Sequence, residues 1–223
     1  MKAMILAAGR GERLRPLTEH TPKPLLFAGR YRLIEHLLFS LARARFYDIV
    51  INISHLQEQF IAVLGNGQNY GVQITYSLEP EEGGLETGGG IYKALPLLGN
   101  APFLVVNGDV WTDYPFQNLS HSLNGLAHLI LVDNPSHNLQ GDFHLTAENK
   151  VLSEGQPTLT LSGMGVYHPN LFADCKPGKF RLAPLLRAIM EQGLVTGEHY
   201  RGNWLDVGNV QRLEELNSML NEK

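Results

Sequence analysis

The chain has 223 residues, 43% of them hydrophobic, and a formal net charge of −4 at pH 7. That length suits one large α/β domain, and the charge, with no basic block, argues against a nucleic-acid-binding surface. The single cysteine, Cys175, excludes an internal disulfide and a cysteine-rich zinc site. No stretch of the sequence reaches the roughly 18 consecutive apolar residues of a membrane span, so none is predicted.

The first predicted element is an apolar run at 3–8, which has the length and composition of a buried strand. It is too short for a signal peptide, so we expect a cytoplasmic protein. Gly9 and Gly11 follow at once, and a backbone without Cβ atoms can approach an anion and present its N–H groups. Arg13 and Lys23 then add positive charge. This stretch predicts a phosphate-binding loop.

Two common phosphate-binding motifs do not fit this loop. The dinucleotide fingerprint of dehydrogenases needs a third glycine where the chain has Leu14, and the P-loop needs a Gly-Lys-Ser/Thr sequence that is missing here. The alternative to any phosphate site is that Gly9 and Gly11 make a tight strand-to-helix turn beside solvated charge.

Helix and strand patterns alternate after the loop. Leucines recur on one face of an amphipathic helix, and β-branched runs mark the strands. The predicted order is helix 33–46, strand 48–53, helix 56–64, strand 72–77, helix 91–97 and strand 103–106. This alternation predicts βαβ units and a mostly parallel sheet flanked by helices, a Rossmann-like α/β fold.

Between these elements lies an acidic stretch at 79–84, followed by a glycine run at 88–90. We expect the acidic stretch to be a mobile lid, because acidic and glycine-rich segments rarely pack. Glycines at the start of a helix also let the backbone approach a nucleotide.

Asp109 follows the 103–106 strand directly, within Asn107-Gly108-Asp109. Ligands gather outside the carboxyl ends of parallel strands. A carboxylate beside a triphosphate needs a divalent cation between them, so we predict that Asp109 binds a metal ion. The alternative is a turn former or helix N-cap.

The order of predicted strands and helices changes in the second half of the chain. Segment 110–114 is expected to continue the loop after Asp109, before a helix at 116–123 and a strand at 127–132. Short segments at 141–145, 151–153 and 158–167 predict antiparallel strands joined by turns, and 180–192 and 210–220 predict helices. We interpret the antiparallel strands as a subregion of the same domain.

Three motifs together resemble the signature of the sugar-1-phosphate nucleotidyltransferase family. They are Gly9-x-Gly11-x-Arg13-Leu14-x-Pro16 with Pro22-Lys23-Pro24, the Asn107-Gly108-Asp109 segment, and Trp204-x-Asp206-Val207-Gly208. A signature this long and mixed in residue type arises by chance far more rarely than a pair of glycines. Glu12 stands where most of the family has threonine.

The resemblance implies a GT-A-like domain over 1–223, in which 1–135 binds nucleotide and 136–223 supplies the sugar site and a second metal ligand. It implies Mg²⁺ held by Asp109 and Asp206, and UTP and a sugar-1-phosphate as small-molecule substrates. Lys23 and Arg13 join the two aspartates as implied catalytic residues. The implied nucleotide-binding residues are Ala8, Gly9, Gly11, Glu12, Arg13, Lys23, Glu86, Thr87, Gly88 and Asn107, and the implied sugar-binding residues are Asp142, Glu154 and Gly163. For Glu154, a plain surface turn is the alternative.

Within the family, segments such as Leu85-Glu86-Thr87-Gly88-Gly89-Gly90 look closest to the bacterial N-acetylmuramate α-1-phosphate uridylyltransferases, which implies a role in peptidoglycan recycling. The mannose-1-phosphate guanylyltransferases are the alternative branch. A nucleotide-sugar sensor without turnover is the alternative outside enzymes, and the presence of Lys23, Asp109 and Asp206 argues against it. The oligomeric state is left open.

Overall fold

The β-branched runs of the first half form the parallel part of a central sheet. The computed structural model describes residues 1–81, 84–119 and 123–221. The strands are β1 Ala3–Leu6, β2 Phe27–Ala28, β3 Tyr31–Arg32, β4 Asp48–Ile53, β5 Gln73–Leu78, β6 Phe103–Asn107, β7 Val110–Thr112, β8 Ala127–Val132, β9 Phe143–Leu145, β10 Val151–Leu152, β11 Thr158–Tyr167, β12 Val195–Tyr200 and β13 Trp204–Asp206. The helices are α1 Leu33–Arg43, α2 Gln57–Leu64, α3 Glu86–Leu98, α4 Leu182–Met190 and α5 Val210–Asn221.

Within the described residues, nine strands form one mixed sheet. β1 lies between β4 and β6 and pairs in parallel with both, while β4 pairs in parallel with β5. The register sets Leu6 opposite Asn52 on one side and Asn107 on the other. Three strands therefore end at one edge, where two of them carry polar side chains, and this is the edge at which α/β sheets bind ligands.

The long strand β11 joins the second half of the chain to the first. Its residues Met164 to Tyr167 pair antiparallel with both β6 and β8, and its first two residues pair with β9. β8 in turn pairs in parallel with β12. The predicted antiparallel subregion is therefore continuous with the main sheet. An irregularity between Leu161 and Met164 bends β11 at the edge where the ligand site lies.

Helices cover both faces of the sheet. The side chains of β1 alternate between them: Ile5 packs in the core cluster that includes α1 and α2, and Met4 in the cluster that includes α3 and α4. Each fully buried large apolar side chain contributes about 1.5–3 kcal/mol to the stability of the folded state. In the described ranges, every helix is too short or too polar to cross a membrane.

A third, smaller cluster packs α5 against the first loop. Leu213 and Leu216 contact the cluster that contains Leu14, Leu33 and Val207. This packing brings the C-terminal helix, and the strand β13 that precedes it, beside the N-terminal loop.

The predicted strands and helices are largely confirmed, but the start of α3 is a correction. The helix begins at Glu86, five residues before the predicted start, and the glycine run forms its first turns. Glycine is required there because a Cβ on Gly89 would lie 2.2 Å from the carbonyl oxygen of Gly178. Pro96 lies inside the last turns and does not end the helix.

Three further assignments differ from the local sequence pattern. Segment 110–114, expected as loop, contains β7, which pairs antiparallel with β13. No strand is predicted at 195–200, yet β12 pairs there with β8 along its whole length. Both strands depend on partners distant in sequence. The predicted helix 116–123 is a 3₁₀ turn at Phe116–Asn118, and its positions 120–122 lie outside the described residues.

Candidate active site

A cleft of about 1220 Å³ opens at the carboxyl ends of β1, β4 and β6, and we call it the larger cleft. All the predicted nucleotide-binding residues except Gly88 line it: Ala8, Gly9, Gly11, Glu12, Arg13, Lys23, Glu86, Thr87 and Asn107. The fold therefore gathers the first loop and the start of α3, which are distant in sequence, around one space. Their role in binding nucleotide stays a prediction.

The first loop is held in shape by local contacts. Gly11 has φ +64°, and a Cβ there would lie 3.0 Å from the side chains of both Lys23 and Thr18. The buried Thr18 hydroxyl donates to the Gly11 carbonyl oxygen over 2.8 Å, and the Leu14 N–H donates to the same oxygen over 2.9 Å. Only glycine accommodates this turn. Thr18 was not predicted, because a threonine in a turn carries no distinctive signal.

A buried polar pair forms a wall of the larger cleft. Asn52 accepts from the Ala7 N–H over 2.9 Å and donates to Glu79 Oε1 over 2.7 Å. The other carboxylate oxygen of Glu79 accepts from the Leu85 N–H over 3.2 Å. The pair thus ties the first loop to the start of α3. The sequence signal that could have revealed this pair was a polar residue, Asn52, within an otherwise apolar run. The predicted mobile lid includes positions 82–83, which lie outside the described residues.

The glycine run at the start of α3 brings a further basic residue to the cleft. Gly88 does not line the cleft, and a Cβ there would lie 2.5 Å from the Phe180 ring. The Gly89 N–H donates to the Phe180 carbonyl oxygen over 3.1 Å, and the Phe180 N–H donates to that of Leu85 over 3.2 Å. This close approach places the preceding residue, Lys179, on the cleft wall. Lys179 was not predicted, since it lies in an exposed loop.

Lys23 and Asp109 form an ion pair at the floor of the cleft. Lys23 Nζ lies 2.5 Å from Asp109 Oδ2, and the lysine side chain is only 11% exposed. The Asp109 carbonyl oxygen accepts from the Val207 N–H over 2.8 Å. Two of the predicted catalytic residues are therefore in direct contact. The segment that carries Asp206 is also hydrogen-bonded to Asp109, through Val207, the residue after Asp206.

The pairing of β7 with β13 brings the two predicted metal ligands together. Asp206 lies opposite Val110, the residue after Asp109. Both carboxylates line a second space of about 360 Å³, which we call the smaller cleft. Asp206 Oδ1 lies 2.5 Å from Arg212 Nη1 and 3.3 Å from His137 Nε2.

These two carboxylates fit a hard divalent cation, which prefers oxygen ligands. In the described ranges, no cluster of three or more His, Cys, Asp or Glu side chains has the arrangement of a metal site. A cation held here would therefore complete its shell with substrate phosphate oxygens and water, as Mg²⁺ commonly does.

The smaller cleft contains two of the three predicted sugar-binding residues. Asp142 and Gly163 line it, together with Asn107 and Asp109, which also line the larger cleft. The main-chain N–H of Leu161 donates to Asp142 Oδ2 over 2.8 Å. Glu154 is exposed and does not line either cleft, so its predicted role receives no geometric support and stays a prediction.

The irregularity in β11 shapes the shared wall of the two clefts. Gly163 has φ +77°, and a Cβ there would lie 2.6 Å from the Asn107 amide nitrogen. The Trp204 indole N–H donates to the Ser162 carbonyl oxygen over 2.9 Å, so Trp204 anchors this bend. Glycine at position 163 therefore leaves the space that the Asn107 side chain occupies.

A loop that is hydrogen-bonded to β11 forms the outer wall of the smaller cleft. The Thr160 hydroxyl donates to Asn134 Oδ1 over 2.9 Å and accepts from Asn138 Nδ2 over 3.2 Å. These bonds present Asn138 and its neighbour His137 to the cleft. Neither was predicted, because the loop folds onto a strand that follows it by some twenty residues.

Hydrogen bonds to Asp113 hold the turn that leads into β13. Its carboxylate accepts from the Asn203 N–H over 2.9 Å, from Asn203 Nδ2 over 2.6 Å, and from the Tyr200 hydroxyl. Burial raises the pKa of Asp113, but hydrogen bonds from Tyr200 and Asn203 outweigh it and hold that pKa below its ordinary value. Asp113 is therefore a carboxylate that fixes the segment that carries Asp206.

Comparison with known proteins agrees with this geometry. The model of the nucleotidyl transferase family matches residues 2–138, which include the first loop and Asp109. The chain belongs to the sugar-1-phosphate nucleotidyltransferase family. The predicted resemblance is thereby confirmed, and the chain is a nucleotidyltransferase by family.

Its relatives include full-length and partial matches. It is 52% identical over 227 residues to the N-acetylmuramate alpha-1-phosphate uridylyltransferase of Neisseria meningitidis serogroup B, covering 98% of each chain. It is 31% identical to the protein of that name from Caulobacter vibrioides, covering 94% of this chain and 92% of that one. The mannose-1-phosphate guanyltransferase of Candida albicans is 41% identical over 144 residues, 61% of this chain and 39% of that protein.

The predicted fold is also confirmed. A putative glucose-1-phosphate thymidylyltransferase from Bacillus anthracis superposes with a TM-score of 0.86 at 24% identity, covering 100% of this chain and 96% of that one. This similarity establishes for the nucleotidyltransferase a GT-A-like α/β fold with a mostly parallel central sheet.

Proposed function

We propose that this nucleotidyltransferase transfers a uridylyl group from UTP to N-acetylmuramate α-1-phosphate, giving UDP-N-acetylmuramate and pyrophosphate. The observation that carries the proposal is the meeting of Lys23, Asp109 and Asp206 where two clefts join, in a chain 52% identical to a relative of that name over nearly its full length. We further propose the cytoplasm and peptidoglycan recycling as its setting.

The two clefts suit the two substrates. In the larger cleft, the N–H groups of the first loop and the guanidinium of Arg13 face the β- and γ-phosphates, and the start of α3 at Glu86 and Thr87 lies beside the base and ribose. In the smaller cleft, Asp142 and Asn107 offer an acceptor and an amide to sugar hydroxyls. The reacting phosphates then meet at the shared wall.

The reaction needs alignment and charge neutralisation more than proton transfer. A phosphate oxygen of the sugar-1-phosphate attacks the α-phosphorus of UTP, and the bond to the α,β-bridging oxygen breaks, so that pyrophosphate leaves with the electron pair. The attacking oxygen is already anionic, so no general base is required. Lys23, mostly buried at the junction, stabilises the negative charge on the α-phosphate as the reaction proceeds.

Asp109 and Asp206 would hold Mg²⁺, since carboxylate oxygens are the donors that this ion takes from proteins. Bound there, the ion supplies Lewis-acid polarisation and a template for the phosphates. Lys23 and Arg212 each form an ion pair with one of the two aspartates.

The test is pyrophosphate release with Mg²⁺ across a grid of nucleotides and sugars. UTP, GTP, dTTP, ATP and CTP are each combined with the α-1-phosphates of N-acetylmuramate, N-acetylglucosamine, glucose and mannose. We expect turnover with UTP and N-acetylmuramate α-1-phosphate, abolished by chelation of the metal. Turnover confined to GTP and mannose-1-phosphate would move the chain to the guanylyltransferase branch, and nucleotide binding without release would indicate a sensor.

A further inference from the structure

The carboxylate of Asp206 is held by two side chains from other segments. Arg212 Nη1 donates to Asp206 Oδ1 over 2.5 Å and to the Asp206 carbonyl oxygen over 3.0 Å. His137 Nε2 lies 3.3 Å from the same Oδ1 and 3.2 Å from Arg212 Nη1. One group from α5 and one from the loop on β11 thus meet at a single carboxylate oxygen of β13.

The position of Arg212 is specified by the chain around it. It lies in the first turn of α5, where its N–H donates to Asn209 Oδ1 over 2.9 Å. Its side chain is only 14% exposed. A Cβ on Gly208 would lie 2.9–3.1 Å from three atoms of the guanidinium, so glycine at 208 makes room for it. These features favour a built contact over an incidental surface pair.

The arrangement at Asp206 parallels the one at Asp109. In each carboxylate, one oxygen is bound by a basic side chain: Lys23 at Asp109 Oδ2 and Arg212 at Asp206 Oδ1. Among the described residues, the other oxygen of each carboxylate has no side-chain partner. Hydrogen bonds of this kind orient metal-binding carboxylates in proteins and leave one oxygen for the ion.

We propose that Arg212, together with His137, is a positioning residue for the metal site. It fixes Asp206 through Oδ1 so that Oδ2 is presented to the divalent cation. This inference rests on the proposed function, in which Asp206 is a metal ligand. Arg212 lines neither cleft, so it acts on the reaction only through Asp206. Lys23, by contrast, itself lines the larger cleft.

The test measures binding of Mn²⁺ alone, without nucleotide, by the loss of the free-ion electron paramagnetic resonance signal. Loss of such a supporting hydrogen bond typically weakens metal binding by about 10–100-fold. We expect that weakening for Arg212→Gln, and partial recovery for Arg212→Lys, because an ammonium lacks the planar fork of Arg. Arg43→Gln, at an exposed position of α1, removes the same charge far from the site and should bind as the wild type does.

A kinetic measurement separates positioning from general damage. Arg212→Gln should require more Mg²⁺ for half-maximal pyrophosphate release, while the KM for UTP at saturating Mg²⁺ stays unchanged. If Arg212→Gln does not fold, as judged by circular dichroism, His137→Ala removes the second contact and should raise the Mg²⁺ requirement in the same direction.

Asp206→Asn distinguishes failure of this inference from failure of the proposed function. If Asp206→Asn weakens Mn²⁺ binding but Arg212→Gln binds it as tightly as the wild type, or more tightly, the positioning role is overturned and the metal site stands. If Asp206→Asn leaves Mn²⁺ binding unchanged, the metal site itself is wrong, and the role of Arg212 is overturned with it.

Discussion

The two clefts differ in size and in their lysine and arginine side chains, which line only the larger one. The larger cleft, about 1220 Å³, is lined by four basic side chains, Arg10, Arg13, Lys23 and Lys179, by five acidic side chains and by a glycine loop. The smaller cleft, about 360 Å³, is lined by three aspartates, two asparagines and a histidine. Basic groups and loop N–H groups suit a triphosphate, whereas carboxylates and amides suit hydroxyl groups and a cation.

The clefts are not independent, because Asn107 and Asp109 line both. These residues end and follow the strand β6, which lies in the middle of the sheet between β1 and β11. A substitution within one cleft should therefore affect one substrate, whereas a substitution at the wall should affect the rate.

The largest effect is expected at the junction. Lys23→Ala should lower kcat by about 10²–10³, because removing one transition-state charge stabiliser typically costs that much. The measurement is pyrophosphate release at saturating concentrations of both substrates. Lys176→Ala removes an exposed lysine that lines neither cleft and should leave kcat unchanged. A rise in the KM for one substrate with normal kcat would mean that Lys23 binds that substrate and does not stabilise the transition state.

The second prediction concerns the wall of the larger cleft. Asn52→Ala leaves the Ala7 N–H and a Glu79 carboxylate oxygen without their partner. Each unsatisfied buried group costs about 1–3 kcal/mol, so the free energy of unfolding should fall measurably in urea, and UTP affinity should fall with it. Asn66→Ala, at an exposed turn, is the control. Unchanged stability would mean that water or another group replaces the amide.

The third prediction concerns the smaller cleft. Gly163→Ala places a methyl group where the Asn107 side chain lies. We expect the KM for the sugar phosphate to rise roughly tenfold and kcat to fall with it, because Asn107 belongs to the wall that both clefts share, and a strained φ with a displaced neighbour costs about 1–3 kcal/mol.

Gly193→Ala is a matched control for that variant. Gly193 also has a positive φ, +70°, but no atom lies within 4 Å of the position of its Cβ. It therefore reports backbone strain alone. Equal changes in sugar KM for both variants would contradict a specific role of the contact between Gly163 and Asn107.

The smallest effect is expected at Lys179, an exposed residue on the far wall of the larger cleft. Lys179→Ala should raise the KM for UTP about two- to fivefold, since an exposed ion contact is worth about 0.2–1 kcal/mol. The difference from the wild type should shrink at high salt. Lys176→Ala, in the same loop, should leave this KM unchanged, and an equal effect of the two variants would indicate a general charge effect.

The sequence predicts the parts of the site that depend on local pattern. The first loop carries its glycines, Arg13 and Lys23 within one short stretch, and the strand periodicity places Asp109 at the ligand-binding edge. Asp206 was identified through its motif, but its nearness to Asp109 depends on the pairing of β7 with β13. No local pattern reveals such a long-range pairing.

The residues that sequence reasoning missed reach the site through packing between distant segments. Lys179 depends on the contact of its loop with the glycines of α3, and His137 depends on the hydrogen bonds of its loop to β11. Arg212 depends on the space left by Gly208. The prediction for Glu154 remains without structural support, because this residue lies in the exposed bend after β10 and lines neither cleft.

The most direct test of the two-cleft account is a crystal structure of the protein with UDP-N-acetylmuramate and Mn²⁺, the metal located by its anomalous signal. The account predicts uridine in the larger cleft, the amino sugar in the smaller cleft, and the metal between Asp109 and Asp206. A sugar outside the residues that line the smaller cleft, or a metal that contacts neither aspartate, would contradict it.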